Sequence, residues 1–124
     1  IVGSSIMAIR AAAAAEKLAA EGISAEVIDL RSLRPIDFTT IAASVRKTSR
    51  LMVVYEGVKT MGIGAEISAL IAESDAFDYL DAPIVRLGGA DMPLPYSPKL
   101  ERAAVPQEDD IFAAARDLVR GNRF

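Results

Sequence analysis

The residue types that this chain lacks limit the reactions it can catalyse and the ions it can bind. Its 124 residues include no histidine and no cysteine. Disulfides, zinc sites built on those side chains, and Ser-His-Asp or Cys-His nucleophilic catalysis are therefore excluded within this sequence. Carboxylates remain as ligands for a hard cation, but no acid and base occur at a spacing that would form a catalytic pair.

Several charged side chains follow predicted strands, where ligands bind in parallel sheets. Of these, Glu56 is the best placed for catalysis, although a carboxylate that caps a helix or contacts another subunit explains it better. We predict no catalytic, cofactor-binding or metal-binding residue in this chain. The charged residues in such positions are Arg31, Arg34, Glu56, Lys59 and Asp91.

Gly62 and Gly64 open a predicted helix, and helix N-termini attract phosphate. A dinucleotide-binding fingerprint would place a third glycine where Ile67 stands, and the negative charge of Glu66 just before it disfavours phosphate. We therefore interpret the two glycines as a tight turn with close helix packing.

The elements that must position these residues alternate between short apolar runs and helical stretches. Strands are predicted at 1–3, 25–30, 50–55 and 84–87, and helices at about 6–21, 38–47, 64–74 and 107–120. This order predicts an α/β three-layer sandwich, with helices on both faces of a mostly parallel sheet.

Local signals set the ends of the predicted helices and the buried face of the first. We expect Ser4 or Ser5 to cap the first helix, Asp37 to cap the second, and Gly22 to end the first. The apolar positions of the first helix predict a buried face of Ile6, Ile9, Ala13 and Leu18.

Composition points to one globular domain over residues 1–124, with 52% hydrophobic and 25% charged residues. The net charge of −3 gives no basic excess, so we expect no nucleic-acid partner. No apolar run is long enough to span a membrane, and the first residues lack the basic region of a signal peptide. We expect a location in the bacterial cytoplasm or an organelle matrix.

Five segments together carry a resemblance to a known family. In order and spacing, they resemble the carboxy-terminal domain of the beta subunit of 2-oxoacid dehydrogenases, of which the pyruvate dehydrogenase component is the best-known member. The segments are EGISAEVIDLRSLRPID (21–37), VVYEG (53–57), GIGAEI (62–67), FDYLDAP (77–83) and PLPYSP (93–98).

The resemblance implies a fold like the third domain of transketolase, with strand order 2-1-3-4 for the strands present. An antiparallel edge strand and a pyrimidine-binding domain would precede Ile1. The whole enzyme would be an α₂β₂ heterotetramer that uses thiamine diphosphate and magnesium, decarboxylates a 2-oxoacid and acylates lipoyl groups. This domain would bind no cofactor. Residues 58–61 differ from the Trp-Pro-Thr-Gly type of many relatives, which leaves pyruvate, branched-chain oxoacids and acetoin open as substrates.

Two interaction surfaces are predicted. Gly3, Ser4, Glu56 and Gly57 would meet where the strand order reverses and contact the alpha subunit, the second beta subunit or a neighbouring domain. At the opposite edge, an acidic patch would dock the basic subunit-binding domain of the acyltransferase, as the resemblance implies. That patch would consist of Asp78, Asp81 and the terminal carboxylate of Phe124.

Two alternatives stay open at this point. One is the equivalent domain of transketolase or of a deoxyxylulose-phosphate synthase, against which the segment from Asp29 to Asp37 argues. The other is a free-standing flavodoxin-like binding module, which would need a complete phosphate loop.

Overall fold

The computed structural model describes residues 1–121, and four strands within them form one sheet. The spatial order is β2-β1-β3-β4, and every neighbouring pair is parallel. The predicted sandwich and strand order are confirmed. The strands are β1 (Val2–Gly3), β2 (Ile28–Asp29), β3 (Met52–Val58) and β4 (Val85–Gly89). The helices are α1 (Ile6–Ala20), α2 (Phe38–Thr48), α3 (Ile63–Ala72), α4 (Pro98–Ala104) and α5 (Glu108–Arg120), with a 3-10 helix at Asp75–Tyr79.

Strand β3 divides the interior into two cores because successive strand side chains point to opposite faces. Val53 and Tyr55 face α2, α3 and the 3-10 helix. Met52 and Val54 face α1 and α5. All four side chains are at most 4% exposed, so the strand is covered on both faces, as a parallel strand requires.

The predicted buried face of α1 is only partly right. Leu18 is buried as expected, but Ile6 and Ile9 are 37% and 67% exposed. Small side chains on α1 and α5 explain the difference, because they let the two helices approach closely in the same core. The residues of α1 that are buried are Met7, Ala8, Ala11, Ala14 and Leu18.

The three predicted helix ends are confirmed, but the side-chain cap predicted for the first helix is absent. The Asp37 carboxylate accepts a hydrogen bond from the Thr40 backbone N–H at 3.1 Å, and the two hydrogen bonds from Thr40 hold the pKa of Asp37 below its usual value. Gly22 follows the end of α1 with φ of +79°. Ser5, however, makes no side-chain capping bond and has φ of +53°, because a link of only Ser4 and Ser5 must turn the chain from β1 into α1.

Other differences from the prediction concern the bounds of two strands and the presence of two short helices. β2 has two residues instead of six, and β3 continues to Val58. Helix α4 and the 3-10 helix were not predicted; Pro98 lies in the first turn of α4, where its missing N–H costs nothing. None of the helices within residues 1–121 has the length and apolar character needed to cross a bilayer.

The backbone nitrogen of Ile1 predicts a pH-dependent stability for a polypeptide that begins at this residue. In such a polypeptide the Ile1 ammonium group is partly buried and donates to the Glu26 carbonyl oxygen at 2.7 Å. Burial lowers its pKa from 8.0 to about 6, against the opposing attraction of the Glu26 carboxylate. Between these values the unfolded chain binds more protons than the folded chain, so the free energy of unfolding rises from pH 6 to pH 8, by about 2 kcal/mol.

Urea unfolding at pH 6, 7 and 8 measures this slope. N-terminal acetylation is the control, since it removes the titrating group and should flatten the profile. The other groups with shifted pKa values titrate outside this window, because Glu26, Asp37 and Asp109 are lowered and Lys17 is raised to about 12. Equal slopes with and without acetylation would contradict the assignment.

Candidate functional site

The first predicted surface lies at the carboxyl edge of the sheet. Gly3 pairs with Asp29 on β2 and with Val54 on β3, so Ser4 follows at this edge. Glu56 and Gly57 lie two and three residues beyond Val54, and both are exposed. The structure places them inside β3 rather than after its end, which corrects the predicted boundary.

The last residues of β3 lie against β4 because two consecutive glycines allow it. A Cβ added at Gly89 would lie 2.3 Å from the Glu56 carbonyl oxygen, and one at Gly88 would lie 2.9 Å from the Gly57 carbonyl oxygen. Side chains at these positions would separate the two backbones. This glycine pair is absent from the predicted site residues, although consecutive glycines at the end of an apolar strand indicate close backbone approach.

The ring of Tyr55 packs against Gly62 and Gly64 at the start of α3. Added Cβ atoms would lie 2.5 Å and 2.6 Å from that ring. The ring is 4% exposed, and its hydroxyl donates to the Lys59 carbonyl oxygen at 3.4 Å. The predicted close helix packing is confirmed, whereas the turn itself lies at Thr60 and Met61, before the two glycines.

The described residues do not fit thiamine diphosphate with magnesium. Residues 1–121 hold no cluster of three or more acidic side chains that could bind a metal ion. The glycine pair of α3 is packed against Tyr55, and Glu66 adds a negative charge to the first turn of the helix.

Exposed apolar side chains surround the carboxyl edge of the sheet. Met61, after β3, is 95% exposed and has φ of +54°, and Tyr96, after β4, is fully exposed. The Thr60 hydroxyl donates to the Asp91 carboxylate at 3.4 Å and joins these two loops. We call this set the apolar rim; its members are Leu33, Met61, Met92, Leu94, Tyr96 and Leu100. Such a set is typical of a protein contact rather than of a site for a charged ligand.

The second predicted surface lies at the amino edge of the sheet, on and after the 3-10 helix. Asp75 is paired with Arg46 at 2.5 Å. Asp78 is exposed and has no ion-pair partner within the described residues. Asp81 lies 3.8 Å from the Arg50 guanidinium, and its backbone N–H donates to the Ser49 carbonyl oxygen at 2.9 Å. The backbone here is therefore fixed, and two carboxylates face outward.

Two aromatic side chains flank Asp78. Phe77 is 54% exposed and Tyr79 is 48% exposed. Neither aromatic residue was among the predicted site residues. Phe124, the third predicted member, lies outside the described residues. The last turn of α5 nonetheless reaches this edge, because Asp81 and Gly121 line one groove of about 800 Å³.

Comparison with known proteins identifies the family of this fold. The family model described as the transketolase C-terminal domain matches residues 1–111. The chain belongs to that family. A solved structure described as "Split gene transketolase, inactive beta4 tetramer" has a TM-score of 0.80 and 29% sequence identity, over 98% of this chain and 38% of that one. The family match removes the flavodoxin-like alternative.

Relatives of high sequence identity carry one name. The chain is 60% identical to the pyruvate dehydrogenase E1 component subunit beta-1, mitochondrial, of Arabidopsis thaliana, over 83% of this chain and 28% of that protein. It is 54% identical to the corresponding mitochondrial beta subunit of Dictyostelium discoideum, over 99% of this chain and 34% of that protein. It is 47% identical to the beta subunit of Rickettsia bellii (strain RML369-C), over 95% of this chain and 36% of that protein.

The chain covers only part of the length of each of these relatives. It spans 28% to 36% of the length of these three curated relatives. Their shared name favours a beta subunit over transketolase or deoxyxylulose-phosphate synthase.

Proposed function

We propose that this chain is the assembly and docking domain of the beta subunit of a thiamine-diphosphate-dependent pyruvate dehydrogenase. The observation that carries the proposal is 54–60% identity to subunits of that name. The whole enzyme would decarboxylate pyruvate and acylate lipoyl groups. Its cofactor and magnesium would be held by the alpha subunit and by an upstream pyrimidine-binding domain, in a mitochondrial matrix or a bacterial cytoplasm.

The carboxyl edge of the sheet is proposed as the assembly surface, in contact with the alpha subunit or a second beta subunit. Ser4, Glu56 and Gly57 form its floor, with Gly3 buried behind them against the first turn of α1, and the apolar rim surrounds it. Methionine and aromatic side chains are enriched in protein interfaces. Met61 and Tyr96 present nearly their whole side chains to solvent, so a partner surface would remove a large apolar area from water.

The amino edge is proposed as the docking surface for the basic subunit-binding domain of the acyltransferase. Asp78 and Asp81 supply negative charge, which steers a basic partner and sets specificity. Phe77 and Tyr79 beside them supply the aromatic contacts that often dominate binding energy.

Reconstitution with the alpha subunit tests the assembly role. The full-length beta subunit that contains these residues should form a heterotetramer that oxidises pyruvate when the acyltransferase and cofactors are supplied. During a brief pulse of hydrogen peroxide, Met61 and Met92 should oxidise in the separated subunit and be protected in the heterotetramer. Mass spectrometry measures each site.

The chain supplies the controls for this footprint. Met7 and Met52 are at most 1% exposed and should stay unreactive in both states. Rapid oxidation of Met7 or Met52 would report unfolding instead. Equal oxidation of Met61 and Met92 before and after assembly would exclude the apolar rim from the assembly surface. A heterotetramer without activity toward any 2-oxoacid would contradict the proposed enzyme.

A further inference from the structure

The groove that Asp81 shares with Gly121 follows the open edge of the sheet. β4 is the outermost strand on this side, and α5 forms the opposite wall. We call it the β4 groove; its lining includes Asp81, Pro83, Arg86, Leu87, Ala114 and Leu118. Its volume of about 800 Å³ is within the range of sites that hold ligands.

The backbone of β4 leaves hydrogen-bonding groups free along this groove. The Val85 N–H donates to the carbonyl oxygen of Leu51, the residue just before β3, at 3.0 Å. Because bonds to one neighbouring strand fall on alternate residues, Arg86 directs its N–H and carbonyl to the open side, as do Ile84 and Gly88. An extended segment laid beside β4 would bond to these groups.

Charge differs between the two ends of the β4 groove. Asp81 stands at the amino end, and its contact with Arg50 is long, at 3.8 Å. Arg86 and Lys59 line the other end, where Arg86 donates to the Lys59 carbonyl oxygen at 3.1 Å. Neither cation forms an ion pair within residues 1–121. Leu87, Ala114 and Leu118 make the floor between them apolar.

We propose that the β4 groove binds an extended segment of the docking partner as an added strand beside β4, with a cation of that segment at Asp81 and a carboxylate at Arg86 and Lys59. The proposal rests on the docking role assigned to the amino edge, which shares Asp81 with the groove. A second copy of this chain fits less well. The antiparallel register that uses Ile84, Arg86 and Gly88 together would place two Arg86 residues opposite each other, and like charges there are destabilising.

Two substitutions of Arg86 distinguish the contribution of its backbone hydrogen bond from that of its charge. Arg86→Gln removes the guanidinium and keeps the outward N–H, whereas Arg86→Pro removes both. Proline is tolerated on an edge strand where the N–H faces away from the sheet. The probe is the subunit-binding domain of the acyltransferase with its flanking linkers, titrated calorimetrically into the assembled heterotetramer. We expect Arg86→Pro to bind about twofold to tenfold more weakly than Arg86→Gln, the effect of one lost hydrogen bond.

Hydrogen exchange in the unaltered heterotetramer provides a second measurement that does not depend on whether Arg86→Pro folds. Exchange of the amides between Ile84 and Gly88 should slow at least about tenfold when the probe binds, since new backbone hydrogen bonds protect them. Unchanged exchange, or equal affinity of the two variants, would overturn the added strand while leaving docking at Asp81 intact. Self-association of the heterotetramer that protects the same amides without the probe would assign the groove to a second copy and overturn the proposal. No binding of the probe at all would contradict the docking role itself.

Discussion

Replacing Gly89 with alanine is expected to lower the free energy of unfolding by about 3 kcal/mol or more. The new Cβ would lie 2.3 Å from the Glu56 carbonyl oxygen and 3.3 Å from the Ala104 carbonyl oxygen. Both are backbone atoms, so no side-chain rotation can relieve the contact. Overpacking in an interior typically costs 1–3 kcal/mol, and here β3 would have to move away from β4. That is a large part of the 5–15 kcal/mol that stabilises a typical domain.

Gly57→Ala is the matched control, in the neighbouring strand. Its added Cβ would meet only the Tyr55 ring at 3.8 Å, which is ordinary van der Waals contact. We expect a change below about 1 kcal/mol there, because no atom has to move. Urea unfolding of the two variants measures the contrast. Similar stability of both would show that β3 and β4 are less closely packed than the structure has them.

Asp81→Lys is expected to weaken docking of the subunit-binding domain by at least about 30-fold. Breaking a desolvated charge pair costs about 2–5 kcal/mol, and tenfold in affinity corresponds to about 1.4 kcal/mol. The lysine would also face Arg50, whose guanidinium lies 3.8 Å from the present carboxylate. Calorimetric titration of the intact heterotetramer at low and high salt measures both the affinity and its salt dependence.

Glu16→Lys makes the same change in net charge on the outer face of α1. Glu16 is exposed and distant in sequence from both proposed surfaces, so the affinity should change by less than about threefold, as for other surface charges. Unchanged affinity and unchanged salt dependence in Asp81→Lys would remove Asp81 from the docking surface. Equal losses in both variants would indicate a general effect of net charge.

Strong local signals in the sequence predicted most of the fold. The near-continuous apolar run of Met52 to Tyr55 identified the central buried strand, Asp37 the start of α2, and Gly22 the end of α1. The strand order came from the family resemblance, and the solved relative agrees with it. Such signals act within a few residues of the chain, which is why they can be detected without coordinates.

The errors arose where tertiary contacts decide the outcome. α1 is apolar on several sides, so hydrophobicity alone could not choose between Ile9 and Ala11 for the interior; the fit of small side chains against α5 decides it. β3 continues through Gly57 because Gly88 and Gly89 lie opposite. The exposure of Met61 and Tyr96 depends likewise on loops whose positions no local pattern specifies.

The position of β1 has a consequence for the order of events during synthesis. β1 is the earliest of the four strands to leave the ribosome, yet it lies between β2 and β3 in the sheet. Its second neighbour begins at Met52, about fifty residues later in the chain. Domains fold as units while they emerge, so the nascent chain must keep Val2 and Gly3 unpaired on one side until β3 has been made. Translation across that interval therefore leaves one side of β1 open to incorrect strand pairing.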